Sequence, residues 1–292
     1  MSEGSPPLRY RISGALRVVS RMAGTLQRHP AGAFRICLLH GVSRDHQAAF
    51  ERLVQYILDA HGVLAPPEAE DRLGGDATGE KAGQTPYLFT FDDGYASNVI
   101  AGRVLHRYGV RAVFFVCPGL MDTPRHLQHE AIARSYFEPG TSGAVAPPES
   151  AVMTWSDLEE LAALGHTVGS HSTSHRRLST LRGSEREEQV CRSADLLIRR
   201  LGVPVRWFAF PFGTLESLDQ TSCRLIAQHY AYSCSGIRGL NSATTSPWAL
   251  LREQVDLGAP LSYLKFVLGG GLDVVYWRKA QRLQRLAGEA AA

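Results

Sequence analysis

The most constraining feature of this sequence is a short apolar run, Leu88 to Phe91, that ends in two adjacent aspartates and a glycine. The run is rich in strand-favouring residues and stops at Asp92 and Asp93. This pattern is typical of a buried strand that carries reactive groups at its end. Side chains alternate along a strand, so neighbouring aspartates reach one site only if the chain turns at once, which Gly94 permits. Two close carboxylates would differ in pKa, leaving one suited to metal binding and the other to proton transfer. The alternative is a solvated Asp-Gly turn after a core strand.

A second motif places His171 and His175 four residues apart. Two imidazoles at this spacing can reach one ion from a helical turn or from a tight loop. With one aspartate they would form a three-ligand site with open positions, which is typical of catalytic rather than structural zinc. The histidine pair alone is a weak indication, and its combination with the Asp-Asp-Gly strand end is a much stronger one.

Together these motifs resemble those of the polysaccharide deacetylases, carbohydrate esterases that share the NodB homology domain. The family motif Thr-Phe-Asp-Asp-Gly is unbroken from Thr90 to Gly94, and the motif His-Ser/Thr-x-x-His is present from His171 to His175. A third motif, Arg-x-Pro-Tyr/Phe-Gly, is only partly kept at residues 209–213, and similarity extends from about residue 35 to 255. The resemblance implies a metal-dependent hydrolase that removes an N-acetyl group from an amino sugar in a glycan or glycan precursor.

Carried over position by position, the resemblance makes Asp93, His171 and His175 the ligands of a divalent metal. Zinc is the expected ion, and cobalt or nickel could replace it. Asp92 becomes the general base that takes a proton from the attacking water. The expected partner is an N-acetylated saccharide, and no pattern in the chain indicates nucleic-acid binding.

The third motif implies a stabilising group for the tetrahedral oxyanion. In the family this group is the backbone N–H of the residue after the motif proline, here Phe212 after Pro211. Phenylalanine in place of tyrosine is harmless there because only the main chain acts. Tyr95, directly after the first motif, and Pro211 are assigned with Phe212 to oxyanion and substrate binding.

One departure from the family concerns the arginine that orients the aspartate base. Position 209 is Ala in this chain, as it is in the branch of the family that reads Phe-Ala-Tyr-Pro-Phe-Gly. Arg252, in a late strand-like stretch, is a candidate replacement that would pair with Asp92. The alternative is that Arg252 is an ordinary surface arginine.

A second departure is the missing late histidine that serves many members as general acid. No histidine follows His229, but His40 ends a strand-like run that resembles the Tyr-His-x-Val segment of the poly-N-acetylglucosamine deacetylase branch. The carboxyl ends of barrel strands share one pocket, so His40 is the predicted acid. The alternative is a hydrogen-bonded histidine of the core or a loop. His166 and His229 are predicted to lie away from the site.

Apolar runs that alternate with helical patterns predict a parallel sheet in a single α/β domain. About seven such units predict a barrel, which the family resemblance describes as a distorted (β/α) barrel. The periodicity alone leaves an open doubly wound sheet as an alternative. The chain of 292 residues is 44% hydrophobic, which suffices for one large core. Residues 65–85 and 121–150 lack periodicity and are predicted to be loops. The predicted strands are residues 34–39, 87–91, 112–117, 167–170, 207–210, 230–233 and 250–256.

The chain is predicted to consist of three segments: a basic amphipathic N-terminal segment 1–32, the deacetylase-like barrel 33–258, and a C-terminal helical extension 259–292. The first segment holds five arginines and one glutamate, a net +4 against +3 for the whole chain. Its apolar and basic residues fall on different helical faces, which permits peripheral contact with an anionic membrane. The simpler interpretation, in which this segment is a helix that packs on the barrel, is favoured. The C-terminal helix, with Arg278, Lys279, Arg282 and Arg285, has the same two interpretations.

Five scattered cysteines and the lack of an apolar leader predict reduced thiols and a cytoplasmic enzyme, peripheral at the inner membrane if the basic segment binds lipid. Such an enzyme would act on a glycan precursor. Two other functions stay open: hydrolysis of a different carbon–nitrogen bond, such as a formamide, and glycan binding without catalysis. The complete set of two aspartates and two histidines argues against the second.

Overall fold

A single parallel sheet organises the computed structural model, which describes residues 29–76, 84–136 and 151–291. The seven strands lie in the order β6-β5-β4-β3-β2-β1-β7. They are β1 (Arg35–Leu39), β2 (Tyr87–Phe91), β3 (Ala112–Val116), β4 (Thr167–Ser170), β5 (Trp207–Ala209), β6 (Tyr232–Cys234) and β7 (Glu253–Gln254). Five of the predicted strands match to within a residue, whereas β6 begins two residues later than predicted and β7 is much shorter.

The last strand brings the two edges of the sheet together. Strand β7 pairs with β1, in the register Cys37 with Glu253. Three residues before Glu253, Leu250 forms a parallel bridge with Cys234 of β6. One short segment therefore touches both edge strands, and the sheet curls into a barrel, as predicted. Residues in this segment point into or out of the barrel by simple alternation.

Helices cover the outside of the curled sheet. Helix α6 begins at a capping box, in which Thr154 and Asp157 bond each other's backbone N–H groups. The helices are α1 (Gln47–Ala60), α2 (Pro66–Gly74), α3 (Asn98–Arg107), α4 (Pro118–Met121), α5 (Arg125–Ser135), α6 (Trp155–Ala163), α7 (Ser184–Leu201), α8 (Gln220–His229), α9 (Leu261–Leu268) and α10 (Asp273–Ala291).

The strands are buried on both faces, which explains why they read as continuous apolar runs. One cluster, including Phe89 and Phe114, packs under the outer helices. The other, including Leu88, Phe115 and Trp207, fills the barrel interior. Because alternate residues share a face, Leu88, Thr90 and Asp92 form one inward-facing row. The interior therefore changes from apolar to polar toward the carboxyl ends of the strands.

Two stretches predicted to be loops contain helices. Residues 66–74 form α2, whose Ala69 joins the interior cluster and whose Glu70 accepts a 2.7 Å hydrogen bond from the Trp207 indole. The prediction failed because acidic and proline residues obscured the few apolar contacts of this helix. Residues 125–135 form α5, while residues 77–83 and 137–150 lie outside the described ones.

The C-terminal extension is packed on the barrel. Leu264 and Leu268 of α9 and Leu283 and Ala287 of α10 belong to the outer core cluster. The first residue of α10, Asp273, is ion-paired with Arg35 of β1 at 2.5 Å. The predicted basic N-terminal segment falls almost wholly on residues 1–28, which the structure does not describe.

The structure also bears on the thiols and on membrane crossing. All five cysteines lie in described residues, and none is paired in a disulfide. Among the described helices, none combines the length and the apolar character that a bilayer crossing requires.

Candidate active site

The turn after β2 brings both aspartates to one site. Asp92 continues the inward row of the strand, whereas Asp93 adopts a left-handed backbone, with φ 72°. Gly94 is also left-handed, and a Cβ at this position would lie 3.2 Å from the Val116 side chain. The predicted turn is present, but it begins at Asp93 itself. A left-handed aspartate is uncommon and is kept only where the surrounding structure imposes it.

The two histidines lie in a tight loop rather than on a helix. His171 follows β4, and both Ser172 and His175 have positive φ angles of 66° and 59°. The Ser172 hydroxyl accepts a 2.9 Å hydrogen bond from the His175 N–H, which closes the loop. Thr173 anchors the loop to α7 through a 3.0 Å bond from its N–H to the Gln189 carbonyl. These contacts hold both imidazoles on the same side.

Asp93, His171 and His175 form a buried cluster with metal-ligand geometry. Nε2 of each histidine lies 3.4 Å from Oδ1 of Asp93. One potential ligand atom from each residue lies within 4.8 Å of the others. One carboxylate and two imidazoles fit a divalent transition metal and leave coordination positions free.

Backbone carbonyls orient both rings. Nδ1 of His171 lies 2.6 Å from the Ala209 carbonyl, and Nδ1 of His175 lies 2.8 Å from the Ser135 carbonyl. Because a carbonyl only accepts, each Nδ1 carries a proton, and in the neutral ring Nε2 then presents its lone pair toward Asp93. This is the arrangement that second-shell partners give to metal-binding histidines. The donor set therefore fits a metal in tautomer as well as in position.

The charge environment distinguishes the four titratable residues. Burial lowers the pKa of His175 to about 4, so its ring is neutral at pH 7. Burial also acts on His171, but the Asp92 and Asp93 carboxylates outweigh it and raise the pKa of His171. Burial raises the pKa of Asp92, but Arg252 and the neighbouring His171 together outweigh burial and leave the pKa below its ordinary value. Asp92 is therefore an ionised acceptor at neutral pH.

Arg252 is fully buried in the barrel interior and forms a fork with Asp92. Its two terminal nitrogens donate to the two oxygens of Asp92, each at 2.7 Å. Its Nε donates to the Ser235 carbonyl at 2.6 Å, and its guanidinium lies 5.5 Å from the Phe115 ring centre. The alternative of a surface arginine does not describe this residue, which has no exposed area. Arg252 thus pairs with Asp92 through both carboxylate oxygens.

One cavity of about 480 Å³ joins most of the predicted site residues. His40 is exposed at the end of β1 and lines this cavity, as do Asp92 and the half-buried Tyr95. Phe212 lines it as well, with a left-handed backbone of φ 65°. Pro211 is buried directly before Phe212 and is not among the lining residues, so the structure does not place it against a ligand.

The other histidines lie elsewhere. His166 is buried near the start of β3, accepts a 3.2 Å bond from the Ala112 N–H and bonds the Gly102 carbonyl at 3.0 Å. His229 is exposed at the end of α8. Both lie away from the cavity, as predicted.

Sequence reasoning missed four residues around the site. Tyr136 donates a 2.5 Å hydrogen bond to the Asp93 carbonyl and lines the cavity, and its neighbour Ser135 supplies the carbonyl for His175. Both lie at the end of α5, in the stretch predicted to be a loop. Tyr276 and Lys279 of α10 also line the cavity. No motif marks these residues, because each acts through a contact between segments distant in sequence.

Comparison with known proteins agrees with this geometry. The polysaccharide deacetylase family model matches residues 79–232, just over half of the chain. YxkH of Bacillus subtilis (strain 168), to which a polysaccharide deacetylase role is provisionally assigned, is 23% identical over 231 residues, 75% of this chain and 67% of that protein.

Solved structures share the fold at low sequence identity. The Streptococcus pyogenes deacetylase PplD, solved in complex with acetate, has a TM-score of 0.61 at 18% identity, covering 81% of this chain and 98% of that one. IcaB from Ammonifex degensii has a TM-score of 0.55 at 22% identity, covering 81% and 97%. At these identities the likeness shows the architecture, and the family match carries the assignment. The chain therefore belongs to the polysaccharide deacetylase family, metal-dependent hydrolases that act on carbon–nitrogen bonds.

Proposed function

We propose that this protein removes the acetyl group from an N-acetylated amino sugar of a glycan or glycan precursor, with zinc held by Asp93, His171 and His175. One observation carries the proposal: an ionised, arginine-held carboxylate, Asp92, lies beside a buried cluster of one aspartate and two histidines whose tautomers suit metal binding. When bound, the metal would polarise the amide carbonyl and acidify the attacking water. Cobalt or nickel would suit the same donor set.

Asp92 is the proposed general base. Its carboxylate is held by two hydrogen bonds from Arg252, which fix the orientation of both oxygens. Its Oδ2 lies 4.0 Å from Nε2 of His171, so it adjoins the cluster without occupying a ligand position. A water that attacks an amide at this cluster would lie within reach of Asp92, which would accept its proton.

Two further groups complete the proposed reaction. The Phe212 N–H would donate to the oxyanion, and Arg177, stacked 4.7 Å from the centre of the Phe212 ring, supports that turn. His40 lines the cavity with Asp92 and would give a proton to the leaving amine when the tetrahedral carbon collapses. The amine then leaves neutral and acetate remains.

The shape of the site favours a saccharide over a small amide. The cavity is in the size range of pockets that hold small ligands. A second cavity of about 1080 Å³ shares His175, Phe212, Thr214 and Glu216 with it. The two together offer room beyond the reacting group for neighbouring sugars.

An acetate-release assay tests the proposed function. The zinc-loaded chain should release acetate from N-acetylglucosamine oligosaccharides, and Asp93→Ala should lose both the metal and the activity. If the chain released formate from an N-formyl sugar but no acetate from the N-acetyl sugar, the alternative function, hydrolysis of a different carbon–nitrogen bond, would be favoured. If the metal-loaded chain bound the saccharide but released no product, the protein would be a glycan-binding member of the family without catalysis.

We also propose that the enzyme works in the cytoplasm on a glycan precursor. Its five unpaired cysteines, four of them buried, suit a reducing compartment. Cell fractionation tests this, and recovery from outside the cytoplasmic membrane would contradict it.

A further inference from the structure

An exposed apolar cluster begins helix α10. Val274, Val275 and Trp277 are 84%, 72% and 57% exposed, the three most exposed large hydrophobic side chains among the described residues. They lie within four positions, whereas Leu283 and Ala287 on the same helix are buried against the barrel. We call these three residues the α10 patch. An exposed apolar group of this kind, next to polar residues, is typical of an interaction site.

The α10 patch is followed by exposed basic residues. Arg278, Lys279, Arg282 and Arg285 lie in the next two turns, and all four are exposed. The acidic residue at the start of the helix, Asp273, is already paired with Arg35. Apolar side chains that include a tryptophan, flanked by exposed basic ones, match the composition of helices that lie in the interface of an anionic bilayer.

The patch adjoins the mouth of the active-site cavity. Tyr276 and Lys279, which line the cavity, lie on the same turns of α10 as Val275 and Trp277. Val275 and Lys279 are four residues apart and therefore neighbours on the helix surface. Whatever contacts the patch will lie next to this wall of the cavity.

We propose that the α10 patch docks this protein on an anionic lipid bilayer and turns the mouth of the cavity toward the headgroup layer. Val274, Val275 and Trp277 enter the interface, and Arg278, Arg282 and Arg285 contact acidic headgroups. The docking goes beyond the proposed deacetylation and does not depend on it. An amino sugar carried on a lipid would be presented to the cavity in this orientation.

Two other partners could cover the α10 patch, the N-terminal segment of the same chain or a second copy of the protein, and charge argues against both. The first 32 residues carry a net +4, so they would be repelled by the basic turns of α10. A second copy docked about a two-fold axis would bring the same basic residues together. An anionic lipid surface is attracted to both segments.

Co-sedimentation of the full chain with vesicles tests the proposal. Binding should require phosphatidylglycerol in the phosphatidylcholine vesicles and should weaken as salt rises. The triple change Val274→Asn, Val275→Asn, Trp277→Gln should weaken it by about ten-fold or more. The charge set Arg278→Gln, Arg282→Gln, Arg285→Gln should weaken it by a similar factor. The matched control, Ile198→Asn with Val203→Asn, removes exposed apolar residues elsewhere and should bind normally.

A second measurement places the contact on α10. Brominated lipids should quench part of the tryptophan fluorescence of the wild-type chain, and Trp277→Phe should remove that part while the other three tryptophans remain. Metal content and circular dichroism establish that each variant is folded, without use of catalysis. Unchanged vesicle binding in both variant sets would overturn the proposal. So would loss of binding only with Arg17→Gln and Arg21→Gln, or a dimer that the patch variants disperse.

Discussion

The guanidinium of Arg252 holds both carboxylate oxygens of Asp92 at 2.7 Å, across 160 residues of sequence. Both side chains are buried, and the pair lies directly beside the Asp93–His171–His175 cluster. The family's third motif begins with an arginine, and this chain has Ala209 at that position. The Asp92 carboxylate is thus held by the residue directly before β7, because the segment that closes the barrel passes close to the tip of β2.

Replacing Arg252 by lysine tests this orientation. Lys keeps the charge but cannot form the two-pronged contact, so Asp92 gains rotational freedom. We expect Arg252→Lys to lower kcat by about 10²-fold, the cost of a small misplacement of a reacting group. Metal content should be unchanged. An acidic limb of the pH–rate profile that moves toward higher pH would show that Arg252 acts through Asp92, whereas lower stability with an unaltered profile would indicate a purely structural role.

Substitutions of Asp92 and of Asp93 should have different effects on metal content. Asp92→Asn keeps a hydrogen-bonding side chain of the same size but cannot accept a proton, so the rate should fall by about 10²–10⁴-fold with the metal retained. Asp93→Asn should lose tight metal binding. Metal analysis beside kcat checks both variants. Loss of metal from Asp92→Asn would mean that the roles are shared or reversed.

His40 is the proposed donor of the proton that the leaving amine takes up. If it protonates the leaving amine, His40→Ala should lower kcat by about 10²–10⁴-fold, leave metal content unchanged and remove the descending alkaline limb of the pH–rate profile. His229→Gln, at an exposed histidine distant from the cavity, is the matched control. A normal alkaline limb in His40→Ala would rule out the assignment.

The strained turn at Phe212 predicts a difference between two small residues. Its φ of 65° suits glycine, and a side chain in this region costs about 1–2 kcal/mol. Phe212→Gly should therefore be about 1 kcal/mol more stable than Phe212→Ala, although both lose the contact with Arg177. Urea unfolding of the two variants measures the difference. Equal stabilities would mean that the left-handed backbone relaxes once the ring is removed.

His61 predicts a pH dependence of stability that is independent of the metal site. Burial is the main cause that lowers the pKa of His61 from 6.5 to about 4, and Arg35 adds to it. Between pH 6.5 and pH 4, His61 binds a proton in the unfolded chain but stays neutral in the folded chain. The free energy of unfolding therefore falls as pH falls from 6.5 to 4. The loss should be on the order of 1–3 kcal/mol.

His61→Gln supplies the control for this effect. The free energy of unfolding of wild type, minus that of His61→Gln, should decrease as pH falls through this window and stay constant above pH 7. A difference that is flat with pH would contradict the shifted pKa.

The sequence by itself determined the local parts of this protein. Apolar runs placed most of the strands, and the motifs at residues 90–94 and 171–175 marked the ends of β2 and β4 that carry Asp93, His171 and His175. The strand predictions rest on periodicity, which a few neighbouring residues decide, and the ligand predictions rest on the resemblance of the two motifs to those of the family. The alternation of strands and helices predicted a parallel α/β sheet, and the family resemblance favoured the barrel over an open doubly wound sheet.

Tertiary structure alone decided the contacts between distant segments. The two interpretations of Arg252 could be separated only once Leu250 and Glu253 joined opposite edges of the sheet. The carbonyls of Ala209 and Ser135 orient the histidines, yet every residue has a carbonyl, so no residue type marks those positions. The formation of α2 and α5 depends likewise on packing against the completed barrel. The same is true of the approach of Lys279 to the cavity. The sequence specifies such contacts only through the whole fold, because their stability comes from burial that no single segment achieves alone.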